Sequence, residues 1–424
     1  MQVSKFRVKG ASSALTGSIA VSGAKNDALK GLAVTLLMTG SVSLQNVPQI
    51  EDVFRANELL KKLGVRVSKT GTRAYEIDTR HLKQSKLDFG IAESLRASIM
   101  FAGPLLARRG SAVFPHPGGC VIGKRPIDIF LDGWRAMGAK IKRNGDSYTL
   151  FTKRLYGCDF TFRNISHTAT EALMMTAVLA HGKTTLRNAA CEPEVVHLAA
   201  FLNQAGARIE GAGTHTIEIE GTGGKLLSGG VFTTIPDRIE AGSFIILGAL
   251  RGKNLLIKNC NPGHLSVFLK TLELAGVSLE TGKDWVCVSR PRIIRAVDVK
   301  THEYPGFVTD LQSPYVVFAT QARGASLIFE TIFEGRLNYI DDLNRMGASI
   351  VPCDPHRVLV NGPTTLRGRE VESPDIRAGL AFIIAAAIAR GESVIANAYQ
   401  IDRGYETIDR RLRSIGVDIR RETS

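Results

Sequence analysis

Two kinds of helical stretch alternate along this chain. In one, almost every position is apolar. In the other, apolar and polar positions follow one another at helical spacing. Stretches 32–38 and 244–250 belong to the first kind, and a helix apolar on nearly every face is predicted to be buried all round. Each closes on a glycine, at Gly40, Gly110, Gly182, Gly252, Gly324 and Gly391. A strand-like run follows each glycine, at 42–44, 112–114, 184–186, 254–256, 326–328 and 393–395. Helices of the second kind, such as 51–63 and 194–205, come next and end at Gly64, Gly138, Gly206, Gly276, Gly347 and Gly416. A glycine there is expected as a left-handed helix cap. The spacing of these six glycines is not a local matter: 74, 68, 70, 71 and 69 residues separate them.

Such a period marks an internal repeat. Six units of about 70 residues are predicted, each a buried helix, a strand, an amphipathic helix and further strands. The expected fold is α/β, with the apolar helices inside and sheets outside. The glycine-rich stretch 221–230 falls between the third and fourth units and suggests two halves of three units each.

Composition narrows the function classes. The chain has 424 residues, 44% hydrophobic and 22% charged, an ordinary globular balance. Residues 1–10 contain no apolar signal core, and the longest apolar run, 378–389, is too short to span a bilayer. A cytoplasmic protein without membrane insertion is expected. The net charge of +14 suits anionic substrates or nucleic acid, but Lys and Arg are scattered and no aromatic-studded basic block occurs. The six cysteines include no CxxC pair, so no metal site is expected.

Polar residues gather at the starts of the apolar helices: Lys25 and Asn26, Arg96, Ser166 to Thr168, Asp237 and Arg238, Asp310, and Asp375 with Arg377. Capping accounts for Asp, Ser, Thr and Asn at such positions. It does not account for the cations, which oppose the positive end of the helix dipole. Cations at helix N-termini make sense around phosphate or carboxylate. The loop 114–126 adds a candidate thiol, Cys120, between glycines and beside Lys124 and Arg125, cations that favour the thiolate. Cys287 and Cys260 read as buried or incidental. Arg403, beside Gly404, is a candidate clamp for an anion, although mixed charges at a helix start are usually solvated.

Several segments taken in order are distinctive: Ser22-Gly23-Ala24-Lys25-Asn26, Leu95-Arg96-Ala97-Ser98, 117–126, Pro236-Asp237-Arg238-Ile239-Glu240, Thr309-Asp310-Leu311-Gln312, Asp375-Ile376-Arg377-Ala378 and 401–406. Through them the whole chain resembles the UDP-N-acetylglucosamine enolpyruvyl transferase family. That resemblance implies a two-domain inside-out α/β barrel of six βαβαββ repeats. The domains would span 24–234, and 1–23 with 235–424. It also implies transfer of the enolpyruvyl group of phosphoenolpyruvate to the sugar 3-hydroxyl, with no cofactor and no nucleic-acid partner.

Site roles follow from the same resemblance. Lys25, Asn26, Arg125, Arg377 and Arg403 would bind phosphoenolpyruvate. Cys120, Asp310, Asp375 and Lys25 would be catalytic, with Asp310 taking the proton of the 3-hydroxyl. Asn26, Arg96, Arg125, Pro126, Ile127, Asp128, Ile129, Ser166, His167, Thr168, Asp310, Ile332 and Phe333 would meet the nucleotide sugar. The family usually reads Ser-Val-Gly-Ala-Thr after a lysine near the diphosphate; here Asn164 replaces the lysine, and His167-Thr168 replaces Val-Gly. A homologue acting on another nucleotide is the nearest alternative. The sister enzymes that act on shikimate 3-phosphate lack the cysteine loop, and a basic nucleic-acid-binding protein would not need Cys120, Asp310 and Asp375.

Overall fold

The computed structural model describes residues 4–118, 122–123 and 125–423. The chain divides into two compact units: residues 23–120 with 125–235, and residues 1–22 with 121–124 and 236–424. Each has its own apolar core.

The fold is α/β with mixed sheets. Among the described residues there are six sheets, three in each unit, five of four strands and one of three. Each four-stranded sheet joins one parallel pair to antiparallel neighbours. Sheets are completed by strands distant in sequence. Ser4–Lys9 lies between Glu392–Ala396 and Asp418–Thr423, antiparallel to both, in the second unit. Gly230–Thr233 runs parallel to Ser41–Gln45 in the first.

The apolar helices are buried as their composition requires. Every residue from Arg238 to Leu250 of helix Arg238–Arg251 is buried, as is every residue from Ile376 to Ala387 of helix Ile376–Ile388. These two pack with helix Gln312–Ala319 at the centre of the second unit. In the first unit Ala102–Arg109 packs on His167–Ala177, and Lys25–Val34 meets the 3-10 turn Arg96–Phe101.

All six glycines that end the amphipathic helices adopt positive φ, from 92° at Gly64 to 104° at Gly206. Each closes a helix in the same way. Val65 N donates to Leu60 O and Gly64 N to Lys61 O; the same pair of bonds recurs at Ala139, Ala207, Val277, Ala348 and Val417 and the glycine before each. That is a Schellman cap, and it explains why a small apolar residue follows each glycine: the residue turns back onto the helix it has just left.

A second repeated device was not read from the sequence. Asn46, Asn188, Asn259 and Asn397 each follow a strand with φ between 53° and 56°. Their side-chain amides donate to the carbonyls of Thr234, Phe162, Val21 and Ser373, the residues just past the parallel partner strand. Asparagine tolerates this left-handed conformation better than most residues. After strands Ser111–Pro115 and Gly324–Phe329 the equivalent positions are instead His116 and Glu330. Those two exceptions open the cysteine loop and the loop carrying Ile332 and Phe333.

Candidate active site

In the first unit, Lys25 and Asn26 form the first turn of helix Lys25–Val34 rather than preceding it. Lys25 Nζ lies 2.6 Å from Asp52 Oδ2, and both side chains are largely buried. Two residues past Lys25, Asp27 is fully buried and accepts from Ile235 N at 2.9 Å, with His197 Nδ1 also at 2.9 Å. Burial raises the Asp27 carboxyl above its ordinary range, against the pull of His197. This pair fixes the helix that carries Lys25, and neither residue was singled out from sequence.

Arg96 opens its 3-10 turn as expected, but its guanidinium is used locally. Nη1 donates to Pro117 O at 2.9 Å, and Nη2 donates to Arg125 O. Arg96 therefore clamps both shoulders of the cysteine loop. Gly118 has a structural reason of its own, since a Cβ there would come within 1.9 Å of Glu93 O. Cys120 and Lys124 lie outside the described residues. Past the loop, Pro126 is exposed, Ile127 buried, and Asp128 engaged by Arg163 at 2.7 Å. Ile129 is half-buried.

Ser166 caps helix His167–Ala177 by accepting from Ala169 N, and its Oγ is 3.4 Å from Thr168 Oγ1. His167 Nδ1 is 3.6 Å from Glu171 Oε2, and Lys30 Nζ is 3.0 Å from the same oxygen. Glu171 is fully buried and Lys30 nearly so. The imidazole at this departure from the family pattern thus rests against a buried ion pair.

The second unit gathers charge more tightly. Asp310 lies in the turn Thr309–Leu311. Its Oδ1 is 2.7 Å from Arg336 Nη2, and its Oδ2 is 3.3 Å from Arg377 Nη2. Arg377 also donates from Nη1 to Tyr405 Oη at 2.8 Å. Burial pushes the Asp310 carboxyl up, but Arg377, Arg336 and Arg238 outweigh it and hold the group well below the usual carboxylate range. Burial likewise pushes the Tyr405 phenol up, to about 12, even beside Arg377, so it stays a neutral donor and acceptor at physiological pH.

Asp375 caps helix Ile376–Ile388, its Oδ1 accepting from Arg377 N at 2.7 Å and Ala378 N at 3.2 Å. Asp237 caps helix Arg238–Arg251 similarly. Local capping thus accounts for one oxygen of each. It leaves Arg238, Arg377 and Arg403, each less than a tenth exposed, to be explained. Arg403 Nη1 donates to Gln400 Oε1 at 3.1 Å.

Glu330 was missed by sequence reasoning. It is fully buried, accepts from Thr309 Oγ1 at 2.9 Å, and accepts from Ile332 N and Phe333 N at 2.9 and 3.1 Å. One carboxylate therefore joins the turn carrying Asp310 to the loop carrying Ile332 and Phe333. The break in the asparagine pattern was its only signal.

Among the described residues no group of His, Cys, Asp and Glu is arranged to hold a metal ion. Burial raises the thiols of Cys158, Cys191, Cys260 and Cys287, that of Cys260 to about 11.

Residues 9–412 match the family described as EPSP synthase (3-phosphoshikimate 1-carboxyvinyltransferase). The chain belongs to this carboxyvinyltransferase family. Within it, the chain is 42% identical over 420 residues to a UDP-N-acetylglucosamine 1-carboxyvinyltransferase of Koribacter versatilis, covering 98% of this chain and 96% of the relative. Identity is 43% over 421 residues to the protein of that name in Acidobacterium capsulatum, with the same coverage. Among solved structures, the enolpyruvyl transferase NikO of Streptomyces tendae superposes with a TM-score of 0.90 at 23% identity, over the whole of both chains. EPSP synthase of Acinetobacter baumannii does so at 0.77 and 18% identity, over 99% of this chain and 100% of that one. These two likenesses establish the carboxyvinyltransferase fold.

Proposed function

We propose that this chain transfers the enolpyruvyl group of phosphoenolpyruvate to the 3-hydroxyl of UDP-N-acetylglucosamine, releasing phosphate, in the first committed step of peptidoglycan synthesis. The observation that carries this reading is identity above 40%, end to end, with relatives named for that reaction. We place the enzyme in the cytoplasm; no helix among the described residues is long and apolar enough to cross a membrane. We also read the architecture as six βαβαββ repeats forming two inside-out barrels, bounded at 24–234 and at 1–23 with 235–424. Six sheets and six shared helix caps support that reading.

In this reading the 3-hydroxyl oxygen adds to C2 of phosphoenolpyruvate while C3 gains a proton, giving a tetrahedral ketal. The C2–O bond to phosphate then breaks, C3 loses a proton, and the enol ether and phosphate leave. Asp310 takes the hydroxyl proton, and Asp375, through the oxygen not used in capping, assists proton traffic at the methylene. Cys120 serves C3 as acid or covalent partner, or helps product leave. Lys25, Arg125, Arg377 and Arg403 hold the phosphate and carboxylate, and Asn26 meets both substrates.

The ion pairs suggest how Asp310 becomes a base. With Arg336 and Arg377 both on its carboxylate, it is too weak a base to take an alcohol proton. An incoming substrate carboxylate competes for Arg377, and drawing that guanidinium away restores basicity to Asp310 where it is needed. Arg336 remains to hold its orientation.

The nucleotide sugar would rest on Arg125 to Ile129, on Ser166, His167 and Thr168, and on Ile332 and Phe333. Arg96 acts there by holding the backbone at Arg125. His167, 3.6 Å from Glu171, stands where the family usually has an apolar residue. Isotope exchange distinguishes this reaction from simple phosphatase action: in deuterated water the C3 methylene of recovered phosphoenolpyruvate should acquire deuterium only when the nucleotide sugar is present.

A further inference from the structure

The arginines that look scattered along the sequence are gathered by the fold of the second unit. Arg251 ends one of its three central helices, and Arg323 and Arg390 follow the C-terminal ends of the other two. Arg290, Arg292, Arg295, Arg367 and Arg369 lie on the connections that run alongside. The backbone ties these segments together: Arg290 N donates to Gly252 O, Arg323 N to Ile294 O, and Arg390 N to Leu366 O. Arg251, Arg290 and Arg390 line one cavity of about 170 Å³, together with Gln321 and Thr364.

Seven of the eight side chains are exposed and Arg251 is half-buried. Among the described residues, none of the eight forms an ion pair with an acidic side chain. Of the acids near in sequence, Asp298 accepts from Leu327 N at 2.8 Å and Glu392 pairs with Arg7 at 2.7 Å, while Glu370, next to Arg369, forms no ion pair with it among the described residues. The helix dipole favours cations at the three helix ends, but it does not reach the five on the connections. Two large apolar side chains stand exposed in the same region. Ile293, between Arg292 and Arg295, is 42% exposed; Leu274, beside the Ala275 carbonyl that accepts from Arg295 N, is 58% exposed.

We propose that this face docks the protein on an anionic phospholipid surface. The arginines meet headgroup phosphates, the cavity seats one of them, and Ile293 and Leu274 enter the interface. Guanidinium pairs well with phosphate, and a cluster of cations raises affinity for a charged surface cumulatively. Nucleic acid fits less well, because the segments 290–296, 320–324, 362–369 and 387–391 contain no aromatic side chain on which a base could stack.

Sedimentation with vesicles tests this. The full chain should bind vesicles of phosphatidylglycerol and phosphatidylcholine, and not pure phosphatidylcholine, at low salt. High salt should release it. Combined substitution Arg292→Gln, Arg295→Gln, Arg367→Gln and Arg369→Gln should weaken binding at least tenfold. Thermal unfolding and phosphate release from phosphoenolpyruvate should stay unchanged. Ile293→Ser, which leaves the charge alone, should weaken binding several-fold. Failure to bind anionic vesicles, equal binding by the quadruple variant, or tighter retention on duplex DNA than on anionic vesicles would overturn the proposal.

Discussion

Asp310 and Arg336 form a partly buried ion pair, 2.7 Å between Oδ1 and Nη2, with the arginine side chain 3% exposed and that of the aspartate 25%. The second carboxylate oxygen faces Arg377, which is also bound to Tyr405. Two guanidiniums on one carboxylate have different duties in our account: Arg336 orients, and Arg377 is released to substrate. Arg336→Ala should therefore lower kcat by about 100-fold, the scale of a misplaced reacting group. The KM for phosphoenolpyruvate should change little. Arg377→Ala should raise that KM. Steady-state kinetics on the two variants compares them, and a similar KM effect for both would remove the distinction.

The depressed Asp310 carboxyl also makes a pH prediction. A carboxyl whose folded pKa lies below its unfolded value stabilises the fold at pH above the unfolded value. That contribution is lost as pH falls toward the folded pKa. Here the window lies below about pH 4, because the ordinary aspartate pKa is about 3.9. Asp310→Asn should flatten the acid limb of stability below that pH. It should also reduce kcat by about 100-fold to 10,000-fold, the range for a lost general base. Urea unfolding from pH 2.5 to 7, with kinetics at neutral pH, checks both.

The sequence carried the fold through periodicity. Six glycines at near-constant spacing became six left-handed caps, because a Schellman turn needs glycine and a returning apolar residue whatever surrounds it. Buried helices were legible for a similar reason: an all-apolar helix has no solvent face. What stayed hidden depends on partners far away in the chain. Nothing near Glu330 announces that it will bind Thr309, and nothing near Asp27 announces His197. Arg96 was assigned to the nucleotide sugar through the family resemblance, and nothing near it in sequence announces that its guanidinium also holds backbone carbonyls of the cysteine loop. The arginines are scattered along the sequence, and only the return of the connections past the helix ends brings them together.

Arg403 should matter to the small anionic substrate alone. A hydrogen bond to a charged group is worth about 1.5–3 kcal/mol, so Arg403→Ala should raise the KM for phosphoenolpyruvate by roughly 10- to 100-fold. The KM for UDP-N-acetylglucosamine should move much less. Equal changes in both would withdraw its assignment.

Cys120 should be the thiol that an electrophilic phosphoenolpyruvate mimic alkylates. The family resemblance names fosfomycin, whose phosphonate would occupy the cations that hold phosphate. Burial disfavours the thiolates of Cys158, Cys191, Cys260 and Cys287, while Cys353 is exposed and serves as the internal control. Peptide mass mapping should find one adduct, at Cys120, forming faster with the nucleotide sugar present. Activity should fall in proportion, and Cys120→Asp should stay active and resistant. Labelling at Cys353 instead, or full activity after complete labelling of Cys120, would contradict the assignment.

The central claim concerns which acceptor receives the enolpyruvyl group. Phosphate release from phosphoenolpyruvate should be measured with UDP-N-acetylglucosamine, UDP-glucose and shikimate 3-phosphate in parallel, with the organic product identified by mass. We predict rapid release with UDP-N-acetylglucosamine, accompanied by the enolpyruvyl ether of that sugar, and little with the other two. Preferred turnover of shikimate 3-phosphate or UDP-glucose, or release of phosphate without the ether, would contradict the account.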